Sequence, residues 1–164
     1  MQLDIKEQSL ILEGKKYSRK ELMSLSANAT GDNTSSFLLD LYRFLADWFS
    51  DSPFMTVHTS GSTGTPKVLT VRKEQMMQSA RMTCEFLNLH TGDTALLCMP
   101  LQYIAGKMMV VRALVAGLNL ILRTPSGHPL ADVTVPLRFV AMVPLQVFNT
   151  LRVLREKEWL CHTD

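Results

Sequence analysis

His58-Thr59-Ser60-Gly61-Ser62-Thr63-Gly64-Thr65-Pro66-Lys67 lies between two short runs suited to extended backbone, Phe54-Met55-Thr56-Val57-His58 and Lys67-Val68-Leu69-Thr70-Val71. Their β-branched and apolar residues predict two strands, and the polar, glycine-bearing stretch between them predicts the tip of a hairpin. From Thr59 to Lys67 the hydroxyls of Thr59, Ser60, Ser62 and Thr63 surround Gly61 and Gly64, and the stretch passes through Thr65 to close on a lysine. The glycines permit positive φ and carry no Cβ, so successive N–H groups can turn toward one anion. Lys67 adds a full positive charge. Groups of this kind at this density suit a phosphate.

A Walker-type phosphate loop needs a glycine, four residues, then Gly-Lys-Ser/Thr opening straight into a helix. Here Gly61 and Gly64 are three apart, and Pro66 before Lys67 biases Thr65 away from helical angles. The lysine is therefore expected to begin a strand, with no helix dipole at the phosphate.

Outward from the hairpin, strands alternate with helices, which predicts an α/β layered fold with a mostly parallel sheet and flanking helices. Upstream, Leu3 and Ile5 with Leu10-Ile11-Leu12 around Glu7-Gln8, and a second turn at Glu13-Gly14-Lys15, suggest a small opening hairpin. Ser18 with Glu21 three residues later has the capping-box pattern of a helix start. After a polar stretch from Ala27 to Ser36, the residues Phe37, Leu38, Leu41, Leu45 and Trp48 recur at helical spacing to Phe49, with Asp40, Arg43 and Asp47 opposite. Ser50-Asp51-Ser52-Pro53 stops that helix, and His58 is expected to be a strand neighbour rather than a base.

Downstream, a helix is expected from about Lys73 to Leu89, with Met76, Ala80, Thr83 and Leu87 as a core stripe and Met77 and Cys84 beside it. Thr94–Met99 is a short buried strand ended by Pro100. Ile104–Leu122 is apolar enough to suggest a membrane span, but Lys107 and Arg112 interrupt it at about 2.5–3.5 kcal/mol each near mid-bilayer. Gly117 breaks it into a helix and a strand at Asn119–Leu122. Arg138–Met142 is a further strand, and Pro144 suits the first position of a helix carrying Val147, Phe148, Leu151 and Leu154.

The whole-chain numbers exclude several classes. A length of 164 residues with 46% hydrophobic residues allows one domain with a real core. A net charge of +2, with the only basic cluster at Lys15, Lys16, Arg19 and Lys20, argues against nucleic acid as the principal partner. The three cysteines are scattered, without a CxxC pair or a histidine at ligand spacing, so no disulfide framework, zinc site or other metal site is expected within the chain. Met1-Gln-Leu-Asp-Ile-Lys-Glu lacks the apolar core of a signal peptide, and reduced cysteines fit a cytoplasmic protein.

Thr59-Ser60-Gly61-Ser62-Thr63-Gly64-Thr65-Pro66-Lys67 closely resembles the signature loop of the adenylate-forming enzymes, the superfamily of acyl-CoA synthetases, peptide-synthetase adenylation domains and luciferases. Val68 stands where that family usually has glycine. Pro100-Leu101-Gln102-Tyr103-Ile104-Ala105-Gly106-Lys107, followed by Arg112-Ala113-Leu114-Val115-Ala116-Gly117, is similar to the family's Pro-Leu-Phe-His phrase before a glycine and a helix, with Gln102-Tyr103 in place of Phe-His. Its spacing is most like that of the o-succinylbenzoate:CoA ligases of menaquinone synthesis. Strand, Val143-Pro144 and helix repeat the family's order once more.

The resemblance implies that Thr59, Ser60, Gly61, Ser62, Thr63, Gly64 and Thr65 hold the β- and γ-phosphates of ATP and that Lys67 is the catalytic cation of the loop. It implies further that Tyr103 and Gly106 line the pocket of the carboxylic acid. ATP, Mg2+ and coenzyme A are the implied cofactors of a full-length parent. Residues 1–164 are then expected to be the N-terminal portion of its AMP-binding domain, lacking the adenine turn, the acidic magnesium ligand and the late lysine. Such a fragment is expected to be catalytically silent and to self-associate through its truncated surfaces. Two other readings of the same residues are a nucleotide- or anion-binding module without catalysis and a piece of a peptide-synthetase-type adenylation domain.

Overall fold

A computed structural model describes residues 1, 3–29, 35–59 and 67–161. After a single 3-10 turn at Ile5–Glu7, β1 (Ser9–Leu12) and β2 (Lys15–Ser18) form an antiparallel hairpin. Glu13 and Gly14 join them with φ of 48° and 80°, two positive values in succession that match the twist of a tight hairpin. The opening hairpin is thus the second of the two turns noted in the sequence. Leu3 and Ile5 pack against the core from a loop and a 3-10 turn instead of forming a strand.

The capping box of α1 (Arg19–Asn28) is present: Glu21 N donates to Ser18 Oγ at 3.3 Å, and Ser18 N donates to Glu21 Oε2 at 2.7 Å. α2 (Ser36–Phe49) buries Phe37, Leu41, Leu45 and Trp48 as expected, and also Phe44 and Phe49. Arg43 and Asp40 pair at 3.2 Å on its exposed side. β3 (Phe54–His58) and β4 (Val68–Arg72) are the expected antiparallel hairpin and form a two-stranded sheet of their own.

The main sheet has the order β2-β1-β6-β5-β7, with β5 (Thr94–Leu97), β6 (Asn119–Leu122) and β7 (Phe139–Val140). β1–β6, β6–β5 and β5–β7 are parallel and only β1–β2 is antiparallel, so the mostly parallel sheet read from the alternation of elements is what forms. Strand side chains alternate between two cores. Ala95, Leu97 and Leu120 face the larger one with α2, α3 (Lys73–Phe86) and α4 (Ile104–Ala116), while Leu96, Cys98 and Ile121 face a smaller one with Leu130, Val133 and Leu137. α4 is buried nearly all round, which explains its apolar composition without a membrane. Among the described residues no helix is long and apolar enough to cross one. Gly117 ends it in the left-handed region at φ 72°.

Two helical expectations are corrected. α3 ends at Phe86, and Asn88 turns the chain at φ 51°, so Leu87 is exposed and the buried stripe is Met76, Met77, Ala80 and Cys84. The segment from Pro144 is two helices, α5 (Pro144–Thr150) and α6 (Leu154–Cys161), with Phe148, Leu151 and Leu154 exposed. Its buried positions are polar. Gln146 donates to Cys98 O and Ser126 O, and Thr150 donates to Glu156, whose other oxygen lies 2.9 Å from His128 Nδ1. Those hydrogen bonds hold α5 and α6 on the 126–128 loop, so the packing that apolar periodicity would supply is replaced by satisfied polar groups.

Candidate functional site

Register and hydrogen bonding of the β3–β4 hairpin fix what surrounds its tip. His58 faces Val68, and one position further Thr59 N donates to Lys67 O at 3.0 Å. Thr59 and Lys67, the two described members of the expected phosphate set, therefore stand opposite each other at the last described rung of the ladder. Lys67 is exposed and Thr59 half-buried. Ser60, Gly61, Ser62, Thr63, Gly64 and Thr65 lie outside the described residues.

In an antiparallel pair, positions alternate between those that exchange hydrogen bonds and those whose polar groups point away. Because Thr59 bonds across to Lys67, the backbone groups of His58 and Thr56 turn to the other edge of β3. Both are met by the start of α4. His58 forms a parallel bridge with Tyr103, the residue preceding α4, and Lys107 Nζ donates to Thr56 O at 2.6 Å. Tyr103, expected to line the pocket of the carboxylic acid, lies against the strand that leads into the loop. Met55 and Val57, alternating with Thr56, are buried beneath and anchor the same strand in the larger core.

Gly106 is buried one turn into α4, against the backbone that ends β5. A Cβ there would lie 2.8 Å from Pro100 C and 2.9 Å from Met99 O, closer than backbone atoms can yield. Glycine is thus required for α4 to start directly above Pro100, which also sets the place of Tyr103.

A second lysine secures the other end of the hairpin. Lys73 N donates to Pro53 O at 2.9 Å, extending the ladder past Arg72, and its side chain is 2% exposed. Its Nζ donates to Ser50 O at 2.9 Å and Ser50 Oγ at 3.2 Å, at the C-terminus of α2, where a cation suits the helix dipole. Burial pushes the pKa of Lys73 down, against the opposing pull of Asp47 and Asp51. Lys107 is shifted down for the same reason, with Asp47 opposing. Both ammonium groups are committed to carbonyls of the protein. Sequence reasoning missed them: Lys107 registered only as a charge that rules out a membrane span. The signal lay in Lys107 and Arg112 being the only charges in an otherwise apolar helix, since a charge there must find a partner.

Comparison with known proteins agrees with this frame. A similar structure is that of an acyl-CoA synthetase (AMP-forming)/AMP-acid ligase II-like protein from Dyadobacter fermentans, with 36% identity and a TM-score of 0.68 over 79% of this chain and 37% of that one. The structure of o-succinylbenzoate coenzyme A synthetase from Bacillus subtilis, in complex with ATP and magnesium ion, shares the fold at 14% identity and a TM-score of 0.58 over 92% of this chain and 49% of that one. The 2-succinylbenzoate–CoA ligase of Haemophilus influenzae is 29% identical over 118 residues, which are 72% of this chain and 25% of that enzyme. The chain thus spans between a quarter and a half of these relatives. The model of the AMP-binding enzyme family matches residues 3–156, nearly the whole length, and the chain belongs to that family.

Proposed function

We propose that residues 1–164 are the N-terminal portion of the AMP-binding domain of a cytoplasmic acid–thiol ligase that adenylates o-succinylbenzoate and passes the acyl group to coenzyme A. The observation that carries this reading is the pairing of Thr59 with Lys67 at the hairpin tip, on a strand whose outer edge meets Tyr103. Phosphate-binding and acid-binding groups then lie at neighbouring places on one framework. The likeness to the Haemophilus influenzae ligase supports o-succinylbenzoate as the acid.

In the proposed reaction the substrate carboxylate, already ionised at neutral pH, attacks the α-phosphorus of ATP and pyrophosphate leaves. Lys67, Thr59 and the hydroxyls and N–H groups of Ser60–Thr65 hold the β- and γ-phosphates and neutralise the charge that builds on the departing oxygen. Bound magnesium would supply further charge neutralisation on the phosphates. Tyr103 offers an aromatic face with a polar edge to the acid, and Gly106 keeps the floor of that region close-packed.

A single loop cannot align the α-phosphate. The isolated 164-residue chain is therefore expected to bind ATP or pyrophosphate weakly and in a salt-sensitive way, and to form no acyl-adenylate. Calorimetric titration with pyrophosphate, and an assay for pyrophosphate release from ATP, magnesium and o-succinylbenzoate, test the two halves. Binding lost in Lys67→Ala supports the reading. No binding at low salt would reject the phosphate site, and release abolished by Lys67→Ala would reject the silence of the chain. Exposed Leu145, Phe148 and Leu154 on α5 and α6 support self-association of the isolated chain, which light scattering over a concentration series checks.

A further inference from the structure

We infer that Lys107 is a positioning residue of the phosphate-binding hairpin: its hydrogen bond to Thr56 O, with the His58–Tyr103 bridge, fixes where Thr59 and Lys67 stand relative to the start of α4. The inference rests on the reading of the hairpin tip as a phosphate site. Among the described residues β3 and β4 are paired only with each other, apart from that bridge, and an isolated two-stranded sheet is at best marginally stable. Its placement therefore depends on a few attachments.

Below, Met55 and Val57 enter the core, and at the base Lys73 ties the hairpin to the end of α2. Hydrophobic contacts resist separation but tolerate sliding, because they are not directional. Along the outer edge the directional attachments are the bridge at His58 and the Lys107–Thr56 bond. α4 makes a firm post for both, since Met108, Met109, Val110 and Val111, directly after Lys107, are all buried. Its first turn is itself closed by Lys107 N donating to Tyr103 O at 3.2 Å, so Tyr103 and Lys107 move as one.

The role assigned to Lys107 is placement of the strand and not contact with the phosphate. Thr56 lies three strand positions before Thr59, about 10 Å at the usual rise per residue, which is comparable to the screening length at physiological salt. Its ammonium is already engaged by Thr56 O. The lysine acts through the strand, and its loss lets β3 shift along α4, carrying Thr59 and Lys67 with it.

The test uses the 164-residue chain and pyrophosphate as the probe, titrated calorimetrically at several salt concentrations. Lys107→Met, which keeps an unbranched apolar side chain without the donor, is expected to weaken binding about tenfold. Its salt dependence should match the wild type, because no contact with phosphate is removed. Lys67→Met should weaken binding and also flatten the salt dependence. Lys107→Arg, which keeps charge and donor, should recover most of the affinity. If Lys107→Met loses its cooperative melt, Lys107→Gln carries the comparison, with a smaller loss expected. Unchanged affinity in folded Lys107→Met, or in Lys107→Gln where it replaces it, or a salt dependence flattened as in Lys67→Met, would overturn the inference alone. A wild-type chain that binds no pyrophosphate would overturn the phosphate reading and the inference with it.

Discussion

Lys73 offers a way to weigh the two halves of a buried lysine separately. Its ammonium donates to Ser50 O and Ser50 Oγ, and its stem is enclosed with the rest of the residue. Lys73→Met keeps a buried unbranched side chain and removes the ammonium. The lost hydrogen bonds to a charged group cost about 1.5–3 kcal/mol, offset in part because the desolvation that lowers the pKa of Lys73 also disappears, leaving a net loss of about 1–2 kcal/mol. Lys73→Ala removes in addition three methylenes at about 0.8 kcal/mol each, for a total of about 3.5–4.5 kcal/mol. At roughly 2–4 °C per kcal/mol for a chain of this size, the Met variant should melt about 2–8 °C below wild type and the Ala variant about 7–18 °C below. Thermal unfolding followed by circular dichroism, with urea unfolding to check that the slope is unchanged, measures both. If Lys73→Met is as stable as wild type, the Ser50 hydrogen bonds contribute nothing net. If Lys73→Ala is no worse than Lys73→Met, the stem is not packed and the tie between hairpin and α2 is of another kind.

Two further outcomes follow from backbone packing and from burial. Gly106→Ala should lower stability by about 1–3 kcal/mol, because its methyl meets Pro100 and Met99 backbone that cannot yield as a side chain could; an unchanged melting temperature would mean that α4 does not start where it is described. Cys98 is fully buried and its thiol is pushed up to about 12 by that burial, so the native chain at pH 8 should leave Cys98 unmodified by iodoacetamide while urea-unfolded chain is alkylated there within minutes, as peptide mass mapping would show. Rapid alkylation of Cys98 in the native state would place it outside the smaller core.

What was legible in the sequence was whatever depends on neighbours along the chain. The capping box at Ser18 and Glu21, the αL stop at Gly117, Pro144 at the head of a helix and the limits of β3 are set by residues within a few positions of each other, so local chemistry suffices to read them. The hairpin was legible for the same reason, whereas the opposition of Thr59 and Lys67 came only with its register. Failures came where a distant partner decided the outcome. Gln8 reads as a turn residue, yet it is 1% exposed and accepts from Trp48 Nε1 at 2.8 Å, forty positions away. Nothing near Gln8 announces that. Val147, Phe148, Leu151 and Leu154 have helical spacing, yet the buried face there belongs to Gln146, Thr150 and Glu156, whose partners lie in other segments.

The same distinction explains how the candidate site is built. On the proposed reading the tip presents hydroxyls, glycines and a cation to a phosphate, and such residues have little apolar surface to offer a core. Rigidity has to come from elsewhere. Here it is brought by two lysines from the helices on either side, the buried Lys73 at the base of the hairpin and the half-buried Lys107 along its edge, each donating to a backbone carbonyl. Asp47 at the end of α2 acts on both, pulling each pKa up against the burial that lowers it. A carbonyl–ammonium bond is directional, so it fixes a strand along its axis in a way that Met55 and Val57 beneath it cannot.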